Sequence, residues 1–237
     1  MSRWRAFAIH LLISVLIAGS VAAVLFLVWY PPKLLGFAGA EGLLFLMAGI
    51  DIVVGPLLTL IVFKAGKKGL KFDLALISLA QAAFLAYGVW TSWQSRPVFI
   101  VSVNGTLEVV FANNVLPDEL AKAKDPHYSS LPWGRARLVG TTLPEEQEFD
   151  AVVKAMTGRD IAMRQELYAP YESSKQQLLD KAETYEAVIE VEPKLADILE
   201  QYQADWPTAK IVKVYSKRGM AYMLIDAETA EPIRAVW

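Results

Sequence analysis

The chain has no cysteine and only two histidines among its 237 residues. Without cysteine there is no disulfide framework and no thiolate nucleophile or ligand. His10 and His127 are far apart in sequence, and no spacing of histidine with carboxylates matches a ligand pattern, so a metal site is not expected. A glycine-rich phosphate loop and a Gly-x-Ser-x-Gly elbow are also missing. His127, Ser129 and Ser130 share a loop without an acidic partner. Glu145, Glu146, Glu148 and Asp150 read as a solvated helix start favoured by the helix dipole, not as an acid–base pair. The sequence therefore points away from an enzyme. Each half is short of one sign of charge. Residues 1–96 hold 8 Lys and Arg against 3 Asp and Glu, a net of +5, whereas residues 97–237 hold 15 against 22, a net of −7. That acidic second half lacks the basic surface that nucleic acid requires.

What the chain has in abundance is apolar residues, 54% of the total, and they are concentrated before Arg96. Stretches 6–30 and 74–93 contain no Asp, Glu, Lys or Arg, and 42–63 contains only Asp51. Each is long enough to cross a bilayer. Arg3 and Arg5 resemble the n-region of a signal peptide. The apolar run behind them is too long for an h-region and lacks a clear cleavage site, so a retained helix is expected. Basic residues flank the first span (Arg3, Arg5) and fill the second loop (Lys64, Lys67, Lys68, Lys71), whereas the first loop has Lys33 balanced by Glu41. The positive-inside rule then puts the N-terminus in the cytoplasm and everything after Arg96 on the other side of the membrane. Trp29, Tyr30, Trp90 and Trp93 would form an aromatic belt on the outer face. The expected organisation is a three-helix membrane domain over 1–96 and an α+β periplasmic domain over 97–237.

Asp51 is the exceptional residue of the membrane part. An ionised carboxylate near the midplane costs about 2.5–3.5 kcal/mol on insertion scales. Gln81 falls at a similar depth in the third span, with a vertical offset of roughly 6 Å from 1.5 Å of rise per residue. Antiparallel packing would let its amide donate to the Asp51 carboxyl. Asp51, Gly55 and Thr59 recur every four residues on one stripe, which Ala48 extends. Ser14, Ala18 and Ala22 form a small-residue stripe on the first span, and Ser78, Gln81 and Gly88 lie close to one face of the third. Pro56 has no N–H, which leaves the Ile52 carbonyl open to a neighbouring side chain. This polar and packing site of Asp51, Gly55, Pro56, Thr59 and Gln81 supports three readings: glue within the bundle, a groove for a foreign transmembrane helix, or a proton relay.

After Arg96-Pro97 the pattern changes. Runs 98–103 and 106–111 flank Asn104-Gly105, the signature of a type I′ hairpin. Helices are expected over 117–124, 142–156, 175–184 and 193–202, and strands over 135–141, 210–215, 220–226 and 232–236. Together these form a small antiparallel sheet with helices on one face. Ala230 occupies a turn position where glycine would be more natural, which weakens the expectation of the last hairpin.

Arg3-Trp4-Arg5-Ala6, Trp29-Tyr30-Pro31-Pro32, Asp51-Ile-Val-Val-Gly55-Pro56-Leu57-Leu58-Thr59, Asp73-Leu74, Gln81, Tyr87-Gly88 and Arg96-Pro97 together resemble the TfpX/TfpZ-type type IV pilin accessory proteins. Gly158-Arg159-Asp160 and Tyr168-Ala-Pro-Tyr171 in the outer domain also resemble that family's pattern. The resemblance implies an inner-membrane accessory protein, without enzymatic activity or cofactor, whose partners are type IV pilin, other assembly components and membrane lipid. Two further functional classes fit the residues: an ion- or proton-coupled membrane protein titrating at Asp51, and a membrane-anchored sensor with a periplasmic ligand-binding domain.

Overall fold

The computed structural model describes residues 2–30, 37, 39–144, 153 and 160–237. Pro31, Pro32, Lys33, the expected helix beyond Pro144 with its four acids, and Gly158-Arg159 lie outside the described residues. The chain divides into two compact units; of the described residues the first holds 2–30 and 39–95, and the second holds Phe37 and the residues from Arg96 on.

In the first unit, α1 (Arg3–Val24) runs on into a π-helical turn, Leu25–Trp29. Ser2 caps its start by accepting the Arg5 N–H. The second span is built from α2 (Ala40–Ala48), a π-helical segment (Gly49–Val54) and α3 (Gly55–Val62). The third is α4 (Leu70–Gln94), entered through Gly66 and Gly69, both at positive φ. Arg3–Trp29, Leu44–Val62 and Leu70–Gln94 are each long and apolar enough to cross a membrane. Their outward faces stay apolar, with Leu16, Phe45, Ile61 and Phe84 exposed, as lipid-facing surfaces are.

The second unit is built on a seven-stranded sheet with the order β4-β3-β1-β2-β5-β6-β7. Its strands are β1 (Pro97–Val103), β2 (Thr106–Phe111), β3 (Arg137–Thr141), β4 (Tyr168–Ala169), β5 (Lys210–Ser216), β6 (Gly219–Ile225) and β7 (Pro232–Val236). The Asn104-Gly105 turn forms with φ of 50° and 80°, the geometry the hairpin signature demands. The sheet is mixed, which corrects the antiparallel expectation: β3 runs parallel to β1, and β5 parallel to β2. Each parallel pairing joins strands brought together by a long crossover, which local sequence does not encode.

Among the described residues the unit also holds helices α5 (Pro117–Leu120), α6 (Lys175–Asp180), α7 (Tyr185–Val191) and α8 (Ala196–Asp205). Tyr185 and Val188 of α7 and Leu199 of α8 pack on Ile211, Tyr222, Leu224 and Val236. A second core gathers Phe99, Val101, Val110, Val139 and Tyr168. The last hairpin forms despite Ala230, which takes φ 57° and is fully buried. Asp226 organises that turn: its Oδ1 accepts the N–H groups of Glu228 and Thr229 and the Thr229 hydroxyl.

Candidate functional site

The polar residues of the membrane unit gather along the second span. Asp51, Gly55, Pro56 and Thr59 are all buried, and the two polar side chains among them are only 5% and 3% exposed. α1 lies against α3 and the π segment, and α4 against α2 and α3, so the second span is the middle of the bundle.

The contact between Gln81 and Asp51 differs from the expected one. Gln81 Nε2 donates to the main-chain carbonyl of Asp51 at 3.1 Å. The cause is the π-helical turn. In this register the Gly55 N–H reaches back five residues to the Ile50 carbonyl. The next bond in the series would run from residue 56 to the Asp51 carbonyl, and Pro56 has no N–H to give. The acceptor that proline leaves open is therefore that of Asp51, where a regular α-helix would have left Ile52 open. Bulges of this kind relieve the strain of an internal proline and recur at functional sites.

Gly55 makes the contact possible. A Cβ there would lie 2.0 Å from Gln81 Nε2, so only glycine admits the amide. Gly88 similarly receives the Met47 side chain, whose sulfur would be 2.6 Å from an added Cβ. One turn beyond Gly55 on the second span, His10 Nδ1 and Thr59 Oγ1 share a hydrogen bond of 2.6 Å. Sequence reasoning had set His10 aside as an isolated histidine. Its signal was the i, i+4 spacing with Ser14, which puts two of the few polar groups of α1 on one face.

These bonds leave two acceptors over. Among the described residues, Asp51 Oδ2 and Gln81 Oε1 are buried with no hydrogen-bond partner. Both residues line a cavity of 180 Å³ with His10, Ser14 and Ser78. Two more apolar cavities, of 260 and 210 Å³, also reach Asp51. Ala18, Ala22 and Ala48 line the larger.

The aromatic belt is partly replaced by packing. Trp29 and Tyr30 are buried. The Trp29 ring meets Trp93 edge-on at 5.0 Å, and the Tyr30 hydroxyl donates to the Ser92 carbonyl at 2.9 Å. Trp90 alone of the four is strongly exposed, at 58%.

In the second unit, His127, Ser129 and Ser130 serve turns. The His127 N–H goes to Asp125, the Ser129 hydroxyl to the Pro126 carbonyl, and Arg137 donates to the Ser130 carbonyl. Asp160 pairs with Lys217 at 3.1 Å. Both tyrosines of the Tyr168-Ala-Pro-Tyr171 segment are buried anchors, their hydroxyls donating to the carbonyls of Ala162 and Ala230. No group of three or more His, Cys, Asp or Glu able to hold a metal occurs among the described residues.

The family model "Fimbrial assembly protein FimB" matches residues 1–32. Over 227 residues the chain is 30% identical to the "Fimbrial assembly protein, serogroup E1" of Dichelobacter nodosus, covering 92% of this chain and 88% of that protein. The serogroup I protein of the same organism is 29% identical over 226 residues, with the same coverage. The protein of serogroups C1 and C2 is 35% identical over 117 residues, 48% of this chain and 89% of that relative. No solved structure matches the chain. Identity at this level along nearly the whole of both proteins means that the chain belongs to the fimbrial assembly protein family.

Proposed function

We propose that this chain is a non-catalytic accessory factor of type IV fimbrial assembly that acts by binding pilin, as TfpX/TfpZ-type proteins are expected to do. The observation that carries the reading is the near full-length similarity to fimbrial assembly proteins. The geometry supports it. Three apolar helices carry a polar, small-residue site of Asp51, Gly55, Pro56, Thr59 and Gln81, and the cavity beside Asp51 and Gln81 suits it to a membrane-held partner. The sheet unit supplies a separate surface for that partner's globular part. In this reading residues 1–96 are the membrane domain and 97–237 a periplasmic domain, with the N-terminus in the cytoplasm.

Two measurements test it. Deleting the gene abolishes or sharply reduces surface fimbriae, and full-length protein extracted in mild detergent co-precipitates pilin. Normal fimbriation of the deletion strain would sink the reading. A C-terminal alkaline phosphatase fusion that is inactive would overturn the topology.

A further inference from the structure

The two outer helices of the bundle pack on the second span and barely on each other. They come together where Trp29 meets Trp93 and Tyr30 meets Ser92. At the level of Asp51 they stand apart, and the 180 Å³ cavity fills the gap. α1 contributes one wall through Ser14, α4 the other through Ser78 and Gln81, and Asp51 of the second span is also part of the lining. The rim residues Ile13, Ser78 and Ala82 are exposed, so the cleft opens on the flank of the bundle at mid-span.

A lipid-facing opening over unsatisfied acceptors is costly, because acyl chains offer no hydrogen-bond donor. Asp51 is 5% exposed, yet its Oδ2 is unpartnered, and Gln81 Oε1 beside the same cavity is unpartnered as well. Gln81 Oε1 is an acceptor in every state, and Asp51 Oδ2 is one when the carboxyl is ionised. The complementary group is therefore a donor, and at mid-span in an apolar surround it must arrive on a structure that satisfies its own backbone, which means a helix.

We infer that the cleft between α1 and α4 is the docking site for a fourth transmembrane helix, supplied by a partner, that carries a hydrogen-bond donor side chain opposite Asp51. The inference deepens the pilin-binding reading and rests on it for the partner's identity, but not for the chemistry. The donor reaches Asp51 Oδ2 and Gln81 Oε1, while the apolar face of the helix covers Ile13 and Ala82.

The test uses the full-length chain in lipid nanodiscs and two synthetic transmembrane helices of leucine and alanine, one with a single central glutamine and one with leucine there. Fluorescence transfer from a labelled rim reports binding. The glutamine helix binds about tenfold more tightly, the range of one interhelical hydrogen bond in lipid, and both Asp51→Leu and Gln81→Met abolish that preference. Equal binding of the two helices overturns the inference, as does a preference that survives in both variants. Self-association of the chain that disappears in Asp51→Leu would assign the cleft to a second copy and overturn the partner assignment. Because the synthetic helices contain no pilin sequence, loss of pilin co-precipitation with an intact glutamine preference would sink the pilin reading alone.

Discussion

Gln81 does for Asp51 what Pro56 cannot. Its side-chain amide occupies the main-chain carbonyl that the π-helical register directs at the proline nitrogen. A side chain from another helix thus completes the backbone of the second span, one of the repairs open to a proline-containing helix in lipid. Removing the amide by Gln81→Leu leaves a buried carbonyl open and should cost about 1–2 kcal/mol. Pro56→Ala restores an N–H in the right register. In that background Gln81→Leu should cost less than half as much, measured by unfolding the full chain in mixed detergent micelles. An equal cost in both backgrounds would show that the amide does not stand in for the proline.

Gly55 belongs to the same unit. An alanine there would overlap the Gln81 amide, at 2.0 Å from Nε2 and 2.2 Å from Cδ. Gln81 is flexible enough to swing aside, but only by releasing the Asp51 carbonyl. Gly55→Ala is therefore expected to cost about as much as Gln81→Leu, roughly 1–2 kcal/mol. With Gln81→Ala already in place, Gly55→Ala should be neutral or slightly stabilising, since alanine is the better helix former. Additive costs in the double variant would rule out a shared cause.

The carboxyl of Asp51 separates recognition from proton chemistry. Asp51→Asn keeps shape and an acceptor oxygen but cannot titrate, whereas Asp51→Leu removes both. Under the proposed function Asn at this position supports near-normal fimbriation and Leu does not. Loss of fimbriae in both variants, with the protein still present in the membrane, would favour an ion- or proton-coupled role instead. Electron microscopy of the two strains, with immunoblots for protein level, reads the outcome.

Much of this arrangement is visible in the sequence, and the reasons are local. Three apolar runs give three spans, because length against bilayer thickness is a one-dimensional property. Asn104-Gly105 gives its hairpin because two residues at positive φ define the turn. The π segment is not visible, since Pro56 alone does not say whether the helix will kink, break or bulge. The choice depends on Gln81 lying thirty residues away. The parallel pairings of β1 with β3 and β2 with β5 depend on crossovers, and β4 is only two residues long. Helix α7 escaped notice because it has seven residues, three of them β-branched; its one signal is Thr184, whose hydroxyl accepts the Ala187 N–H as an N-cap.

Tyr171 ties the segment after β4 to the last hairpin. Its hydroxyl donates to the Ala230 carbonyl at 2.5 Å, and burial pushes the phenol well above its ordinary range. The bond holds a residue whose left-handed conformation costs about 1 kcal/mol for a side chain other than glycine. Tyr171→Phe leaves the ring in place and strands a buried carbonyl, so a loss of about 1–2 kcal/mol is expected. Thermal unfolding of the full chain, followed by near-ultraviolet circular dichroism, should show a lower midpoint, and an unchanged one would mean that the carbonyl finds another donor.

Glu108 is expected to make the second unit sensitive to pH. It sits on β2 between Val101 of β1 and Tyr215 of β5, in the middle of the sheet. Burial, reinforced by the negative charge of Asp160 and opposed by Lys217, raises its pKa from 4.5 to about 6. The folded chain therefore holds a proton that the unfolded chain releases between pH 4.5 and 6. Glu108 favours folding fully below about pH 4.5, and that contribution is lost as pH rises through 6. The difference is on the order of 2 kcal/mol. Glu108→Gln keeps the neutral shape at every pH. It should raise the unfolding midpoint at pH 7.5 and leave it nearly unchanged at pH 4, while Asp160→Asn, which removes the repelling charge, should recover part of the gain at pH 7.5. A shift from Glu108→Gln that is the same at both pH values would mean that the carboxyl is ionised throughout and that Lys217, not burial, sets its state.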